Sequence, residues 1–79
     1  MSRKIETATT GAQFVDIARH SDNLRGERFS GSHWTGEGPG GRVTIANHNR
    51  ELAPFLRLKI RRELIAIGIA LLILFFVES

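Results

Sequence analysis

The sequence contains no cysteine, only two prolines and few aromatic residues. The lack of cysteine excludes a disulfide scaffold, a thiolate zinc site and a cysteine nucleophile. Apolar residues are also sparse before residue 64, so this part of the chain has little material for a core of its own. Short chains bury a small share of their surface even when well patterned. We therefore expect no enzyme and no catalytic residues.

The longest apolar run lies near the C-terminus, from Leu64 to Val77. A helix that is apolar on all sides needs apolar surroundings, which the rest of the chain does not offer. The 14 residues of the run cover about 21 Å as a helix, short of the roughly 30 Å of bilayer hydrocarbon. Snorkelling arginines and local bilayer thinning offset the difference. The run predicts a single transmembrane helix; the alternative is a hydrophobic tail buried in a partner protein.

Positive charge is concentrated directly before this run, although the whole chain has only 11 Lys and Arg against 8 Asp and Glu. Basic residues beside a span stay on the cytoplasmic side and contact anionic lipid headgroups. The pattern predicts an N-terminus in the cytoplasm (or a matrix, stroma or virion interior) and a C-terminus on the opposite side of the membrane. The residues expected at the headgroups are Arg57, Lys59, Arg61 and Arg62.

A short amphipathic helix is predicted over residues 10–26. Thr10 and Gln13 have capping-box spacing, and Gly26 is placed as a C-terminal stop. An isolated helix of this length is marginal in water, so its apolar face is expected to dock on a partner.

Residues 27–49 are rich in glycine and are expected to form an extended loop. Within it, Val43 to Ile45 becomes a strand only if a partner supplies an edge. The two large aromatic residues of the loop are expected to anchor on a partner; the alternative is a partly exposed pair in a disordered linker. The predicted partner contacts are Phe14, Ile17, Leu24, Phe29 and Trp34.

A second helix is predicted to continue to Val77. It begins with Pro54 at its first position, or alternatively after an N-cap at Asn49. Three small residues, Ala66, Gly68 and Ala70, would let other helices approach it closely, with a lipid-facing anchor as the alternative.

The predicted fold class is therefore mostly α and non-globular, with one C-terminal transmembrane helix after a short amphipathic helix and a glycine-rich extended loop. The expected segments are a flexible arm (1–9), the amphipathic helix (10–26), the loop (27–49), a basic juxtamembrane helix start (50–60), and the transmembrane helix with the C-terminus (61–79).

Other motifs in the chain do not predict chemistry. Residues 36–41 match G-x-G-x-x-G, but no βαβ unit surrounds them. No two of the histidines at 20, 33 and 48 share a helical turn, and no carboxylate cluster accompanies them, so they do not predict a metal site. Outside the basic cluster, positive and negative charges nearly balance, so we expect no nucleic-acid partner and no cofactor.

The function that fits these patterns is a small single-pass accessory or structural subunit. It would dock on and stabilise a larger membrane complex, either a bioenergetic complex or a lipid-containing virion. The alternative is a tail-anchored regulator or adaptor that recruits a soluble partner through residues 10–45.

Overall fold

A computed structural model describes residues 5–70. After a short 3-10 turn, the elements in chain order are helix α1 (Gly11–Arg19), strands β1 (Gly26–Ser30), β2 (His33–Gly38) and β3 (Gly41–Ala46), and helix α2 (Pro54–Ala66). The strands form one antiparallel sheet in the order β1-β2-β3. Both helices pack on the same face of this sheet. The fold class is therefore α+β, and the expectation of a non-globular, mostly α chain is wrong.

Helix α1 begins as its sequence predicts. The hydroxyl of Thr10 accepts a hydrogen bond from the Gln13 backbone N–H, and the Gln13 side chain accepts one from the Thr10 backbone, which confirms the capping box. The helix ends at Arg19, well before Gly26. After it, Ser21 donates a hydrogen bond to the Ile69 carbonyl, so a contact distant in sequence holds the segment that follows the helix.

The glycine-rich segment is a sheet and not a loop. Two-residue turns join β1 to β2 and β2 to β3, and Gly31 in the first turn has φ +60, which glycine adopts without strain. The expected Val43–Ile45 strand lies within β3, and its edge comes from β2 of the same chain. Gly36 faces inward, and a Cβ atom there would overlap the Trp34 ring. Glycine thus permits close packing here.

The core lies between the sheet and the two helices. Its largest fully buried side chains are Trp34, Phe14, Ile45 and Leu64, which come from four different elements. The start of the C-terminal apolar run supplies apolar material that the earlier residues lack, because Leu64, Ile67 and Ile69 are all buried in this core. The expectation that the chain has no core of its own is therefore wrong.

Helix α2 begins at Pro54, as predicted, but does not continue to Val77. It ends at Ala66, and Gly68 then adopts φ +86, a left-handed conformation that breaks the helix. The Ile67 carbonyl accepts a hydrogen bond from the backbone N–H of Gly40, which ties this turn to the sheet. Gly68 and Ala70 consequently do not lie on a helix face.

Within residues 5–70, none of the helices has the length and apolar character needed to cross a bilayer. The prediction of a single-pass membrane protein, with the location and topology derived from it, is contradicted by this finding. Residues 71–79, which include the rest of the apolar run, and the first four residues of the predicted N-terminal arm lie outside the described residues.

Candidate functional site

The sheet has one face under the helices and one face that no described element covers. Side chains alternate along strands, and Trp34, Val43 and Ile45 point to the helix side, where they are buried. The positions between them point the other way. We call this second surface the open face; its polar side chains are Arg28, Ser30, His33, Thr35, Glu37, Arg42 and Thr44.

The open face is polar, with cations and hydroxyl groups on neighbouring strands. The strand register places Arg28 beside Thr35, and Thr35 beside Thr44. The hydroxyl oxygens of the two threonines lie 2.9 Å apart. Arg42 pairs in register with Glu37. Neither Arg28 nor Arg42 forms a side-chain hydrogen bond or ion pair with another of residues 5–70, so both guanidinium groups are free to bind a ligand.

A shallow depression of about 300 Å³ lies around these arginines and opens to solvent. It is lined by Gly26, Glu27, Arg28, Thr35, Glu37 and Arg42. Its walls are charged or polar side chains and backbone, which suits an anionic or hydroxyl-bearing ligand better than an apolar one.

Glu27 belongs to a cluster on the helix side of β1. Its carboxylate accepts hydrogen bonds from the Trp34 indole at 2.7 Å and from two nitrogens of Arg19 at 2.8 and 3.1 Å. The indole bond and then the guanidinium hold the pKa of Glu27 below its ordinary value. The Arg19 guanidinium also lies 5.5 Å from the centre of the Phe29 ring. Arg19 offsets the charge of Glu27, which leaves Glu37 as the acidic side chain of the open face.

Further polar side chains lie at one end of the sheet. The backbone N–H of Asn47 donates to the Ser32 carbonyl at 2.7 Å, which joins the first turn to the segment after β3. His33, His48 and Arg50 are exposed at this end. Among residues 5–70, no group of three or more His, Cys, Asp or Glu side chains is placed to hold a metal ion.

The predicted partner-contact residues are spread between core and surface. Phe14 and Trp34 are fully buried, and Ile17 and Leu24 are partly buried against the core. Phe29 is 49% exposed. Contact with a partner through these residues stays a prediction. Of the five, Phe29 is the one whose side chain is exposed.

The four basic residues predicted at lipid headgroups do not share one surface. Arg57 donates from Nε to the Leu52 carbonyl at 2.8 Å. The Nε atom of Arg61 is buried and has no hydrogen-bond partner within the described part of the chain. Lys59 and Arg62 are exposed on the outer side of α2.

The three small residues proposed for helix packing lie at the end of α2 and beyond it. Ala66 is the exposed last residue of the helix. Gly68 packs against Pro39, and Ala70 packs partly buried against the core.

Sequence reasoning missed the open-face residues Arg28, Thr35, Arg42 and Thr44. A signal for two of them was present, since Arg42 to Ile45 alternates polar and apolar residues as a half-buried strand does. Comparisons with protein-family models, with curated proteins and with solved structures find no match for this chain.

Proposed function

We propose that this protein is a non-catalytic binding module that contacts the sugar–phosphate backbone of nucleic acid through its open face. The observation that carries the proposal is the placement of two unpaired arginines, Arg28 and Arg42, on one polar surface with hydroxyl groups between them. Arginine, serine and threonine side chains make many of the contacts that proteins form with phosphate and sugar groups.

The spacing of the two arginines suits an extended anion. Arg28 lies on one outer strand, and Arg42 lies on the other, two residues further along the sheet. Strand spacing and rise place their Cα atoms roughly 12 Å apart. Two cations at that separation contact different phosphate groups of one chain, and each contact releases counterions and adds to affinity.

The composition of the open face favours a structured RNA over a single strand. Proteins that bind single strands rely on aromatic side chains that stack on bases, and the open face has no phenylalanine, tyrosine or tryptophan. Double-stranded RNA is recognised through its shape, its phosphates and its 2′-hydroxyl groups. The hydroxyls of Ser30, Thr35 and Thr44 offer donors and acceptors for such contacts.

The charge balance of the sequence predicts no nucleic-acid partner. The fold, however, places charged side chains on two different surfaces of the sheet. Positive and negative residues nearly balance outside the basic cluster, but the ion pair with Arg19 engages Glu27 on the helix side of the sheet. The open face carries two arginines, Arg28 and Arg42, and one acidic side chain, Glu37. Affinity for phosphate depends on this local arrangement more than on the net charge of the chain.

The test is a titration of labelled double-stranded RNA with the full chain at several salt concentrations. Fluorescence anisotropy of the RNA measures the binding. Double-stranded DNA of the same sequence is measured in parallel. The double variant Arg28→Ala/Arg42→Ala should bind at least 10-fold more weakly and lower the salt slope by about 1 to 2, because two phosphate contacts are removed.

The matched control is Lys59→Ala/Arg62→Ala, which removes the same charge from the outer side of α2. We expect this control to keep most of the affinity of the unmodified chain. Equal weakening of both double variants would assign the binding to overall charge, and no binding of RNA by the unmodified chain would reject the proposal.

A second candidate function is that of an accessory protein that docks on a larger complex without chemistry of its own. It is favoured by two exposed apolar residues on α2, Phe55 and Leu58, which are 71% and 41% exposed. The test is native purification followed by mass spectrometry of co-purifying proteins. Phe55→Ala/Leu58→Ala should release a partner that Lys59→Ala retains, and identical partners for all variants would reject this candidate.

A further inference from the structure

A carboxylate lies on the open face between the two arginines. Glu37 is on the central strand β2, whereas Arg28 and Arg42 are on the outer strands β1 and β3. Arg42 is the direct cross-strand neighbour of Glu37, and Arg28 is its diagonal neighbour, opposite Thr35. All of these side chains line the same depression. A site for phosphate groups alone would gain nothing from a negative charge here, because that charge repels them.

The carboxylate of Glu37 is free although cations lie on both sides of it. It forms no hydrogen bond or ion pair with another of residues 5–70. Its neighbour on β1 is Gly26, and a Cβ atom built there would be 3.8 Å from a carboxylate oxygen. The carboxylate thus extends over the glycine towards β1, where no side chain at that position covers it. Its oxygens are open to a ligand.

The backbone of Glu37 is held in place by the sheet. Its carbonyl accepts a hydrogen bond from the N–H of Arg25 at 2.8 Å. The residues on either side of it, Gly36 and Gly38, are buried on the helix side of the sheet. The side chain therefore projects from a fixed point between two cations.

A hydroxyl group is the ligand that suits a carboxylate in this position. An ionised carboxylate only accepts hydrogen bonds, and those it accepts from hydroxyl groups are short and strong. Dinucleotide-binding proteins use a carboxylate in this way to hold a ribose hydroxyl. An RNA strand carries a ribose 2′-hydroxyl between successive phosphate groups, and DNA lacks it. The order arginine, carboxylate, arginine across the sheet thus corresponds to the order phosphate, ribose, phosphate along RNA.

We infer that Glu37 accepts a hydrogen bond from a ribose 2′-hydroxyl and thereby makes the open face select RNA over DNA. The inference rests on the proposed function, because Arg28 and Arg42 must hold the phosphate groups on either side. With DNA, the carboxylate repels the phosphate groups and gains no hydrogen bond in return. The arginines supply the affinity, and Glu37 supplies the selectivity.

The first experiment needs no substitution. The full chain is titrated into labelled duplexes of RNA, 2′-O-methyl RNA and DNA of the same sequence, and fluorescence anisotropy measures the binding. The methylated duplex keeps the phosphate groups of RNA but has no 2′-hydroxyl to donate. The unmodified chain should bind RNA about tenfold more tightly than the methylated duplex, the scale of one hydrogen bond to a charged group. Equal binding of the two would overturn the inference.

The variant Glu37→Ala separates the hydrogen bond from the charge. Loss of the carboxylate removes repulsion of phosphate from RNA and DNA alike, so this effect cancels in the ratio of the two affinities. The ratio should fall about tenfold, because the bond to the 2′-hydroxyl is lost. The affinity for DNA should rise. An unchanged ratio in Glu37→Ala would overturn the inference.

The matched control is Glu63→Ala, which removes an exposed carboxylate from α2. It should keep the RNA-to-DNA ratio of the unmodified chain, and a fall equal to that of Glu37→Ala would count against the inference. Weaker binding by Arg28→Ala/Arg42→Ala, combined with equal binding of RNA and methylated RNA, would reject the role of Glu37 and leave the proposed function standing. No binding of RNA by the unmodified chain would reject both.

Discussion

At the scale of single residues, Gly36 and Trp34 are packed closely together in the core. Both residues are in β2, and the indole lies across the glycine so that an added Cβ atom would overlap three ring carbons. Trp34 is fully buried, so its ring has no free space into which it can move. The largest side chain of the core therefore requires the smallest residue beside it.

Gly36→Ala should lower the free energy of unfolding by about 1–3 kcal/mol, the usual cost of overpacking a core. Gly26→Ala is the matched control in β1, where the nearest atom to an added Cβ is 3.8 Å away, and it should change stability by less than about 0.5 kcal/mol. Urea denaturation followed by tryptophan fluorescence measures both. Equal effects of the two substitutions would argue against the close packing at Gly36.

The hydrogen bonds of Glu27 make its contribution to stability depend on pH. The Trp34 indole and the Arg19 guanidinium lower its pKa in the folded chain from the ordinary value of 4.5. The folded chain thus favours the ionised carboxylate. This contribution is complete above pH 4.5 and is lost as the pH falls through the lower pKa of the folded chain.

We expect the unmodified chain to be more stable than Glu27→Gln at pH 7, and the difference to shrink steadily on acidification below pH 4.5. Thermal unfolding from pH 7 to pH 3 measures it. Glu37→Gln is the control, since its carboxylate forms no hydrogen bond or ion pair with residues 5–70. A constant difference between the unmodified chain and Glu27→Gln across this range would show that the carboxylate charge is not involved.

At the scale of elements, α2 shows how one helix combines an inner and an outer face. Leu64 is fully buried, and Ile60 packs partly buried against the core. Phe55 and Leu58 point outward. Apolar residues on both faces make the helix resemble a membrane or partner-buried segment in sequence, although its inner face packs against the rest of this chain.

Leu64→Ala should cost about 2–5 kcal/mol of unfolding free energy, because it leaves a cavity in the core. Leu58→Ala makes the same change on the outer side of the same helix, where the leucine is 41% exposed, and should cost less than about 1 kcal/mol. The midpoints of urea denaturation compare the two directly. If Leu58→Ala were as costly as Leu64→Ala, the placement of the helix faces would be wrong.

At the scale of the whole molecule, the features predicted correctly from the sequence are local ones. The capping box depends on Thr10 and Gln13, which are three residues apart. The start of α2 depends on the fixed φ angle of Pro54 and its missing N–H. Such signals need no knowledge of distant residues, because the atoms that interact are already close along the chain.

The features that sequence reasoning missed depend on contacts distant along the chain. Closely spaced glycines predict a loop because glycine weakens an isolated strand. In the structure the strands of this segment pair with each other and bury Trp34, Val43 and Ile45 under two helices. The candidate site follows from this pairing. Arg28 and Arg42 are brought onto one face by the strand register, and no local pattern relates them.

The absence of thiol chemistry and the first turns of both helices follow from the sequence without any long-range contact. The placement of the start of the apolar run depends on contacts with distant residues. The core of a domain and a bilayer both offer apolar surroundings to apolar side chains, so the periodicity of the run does not show which of the two it occupies. The turn at Gly68 and the packing of Leu64 and Ile67 place these residues in the core of the domain, because the sheet leaves an apolar face for them to cover.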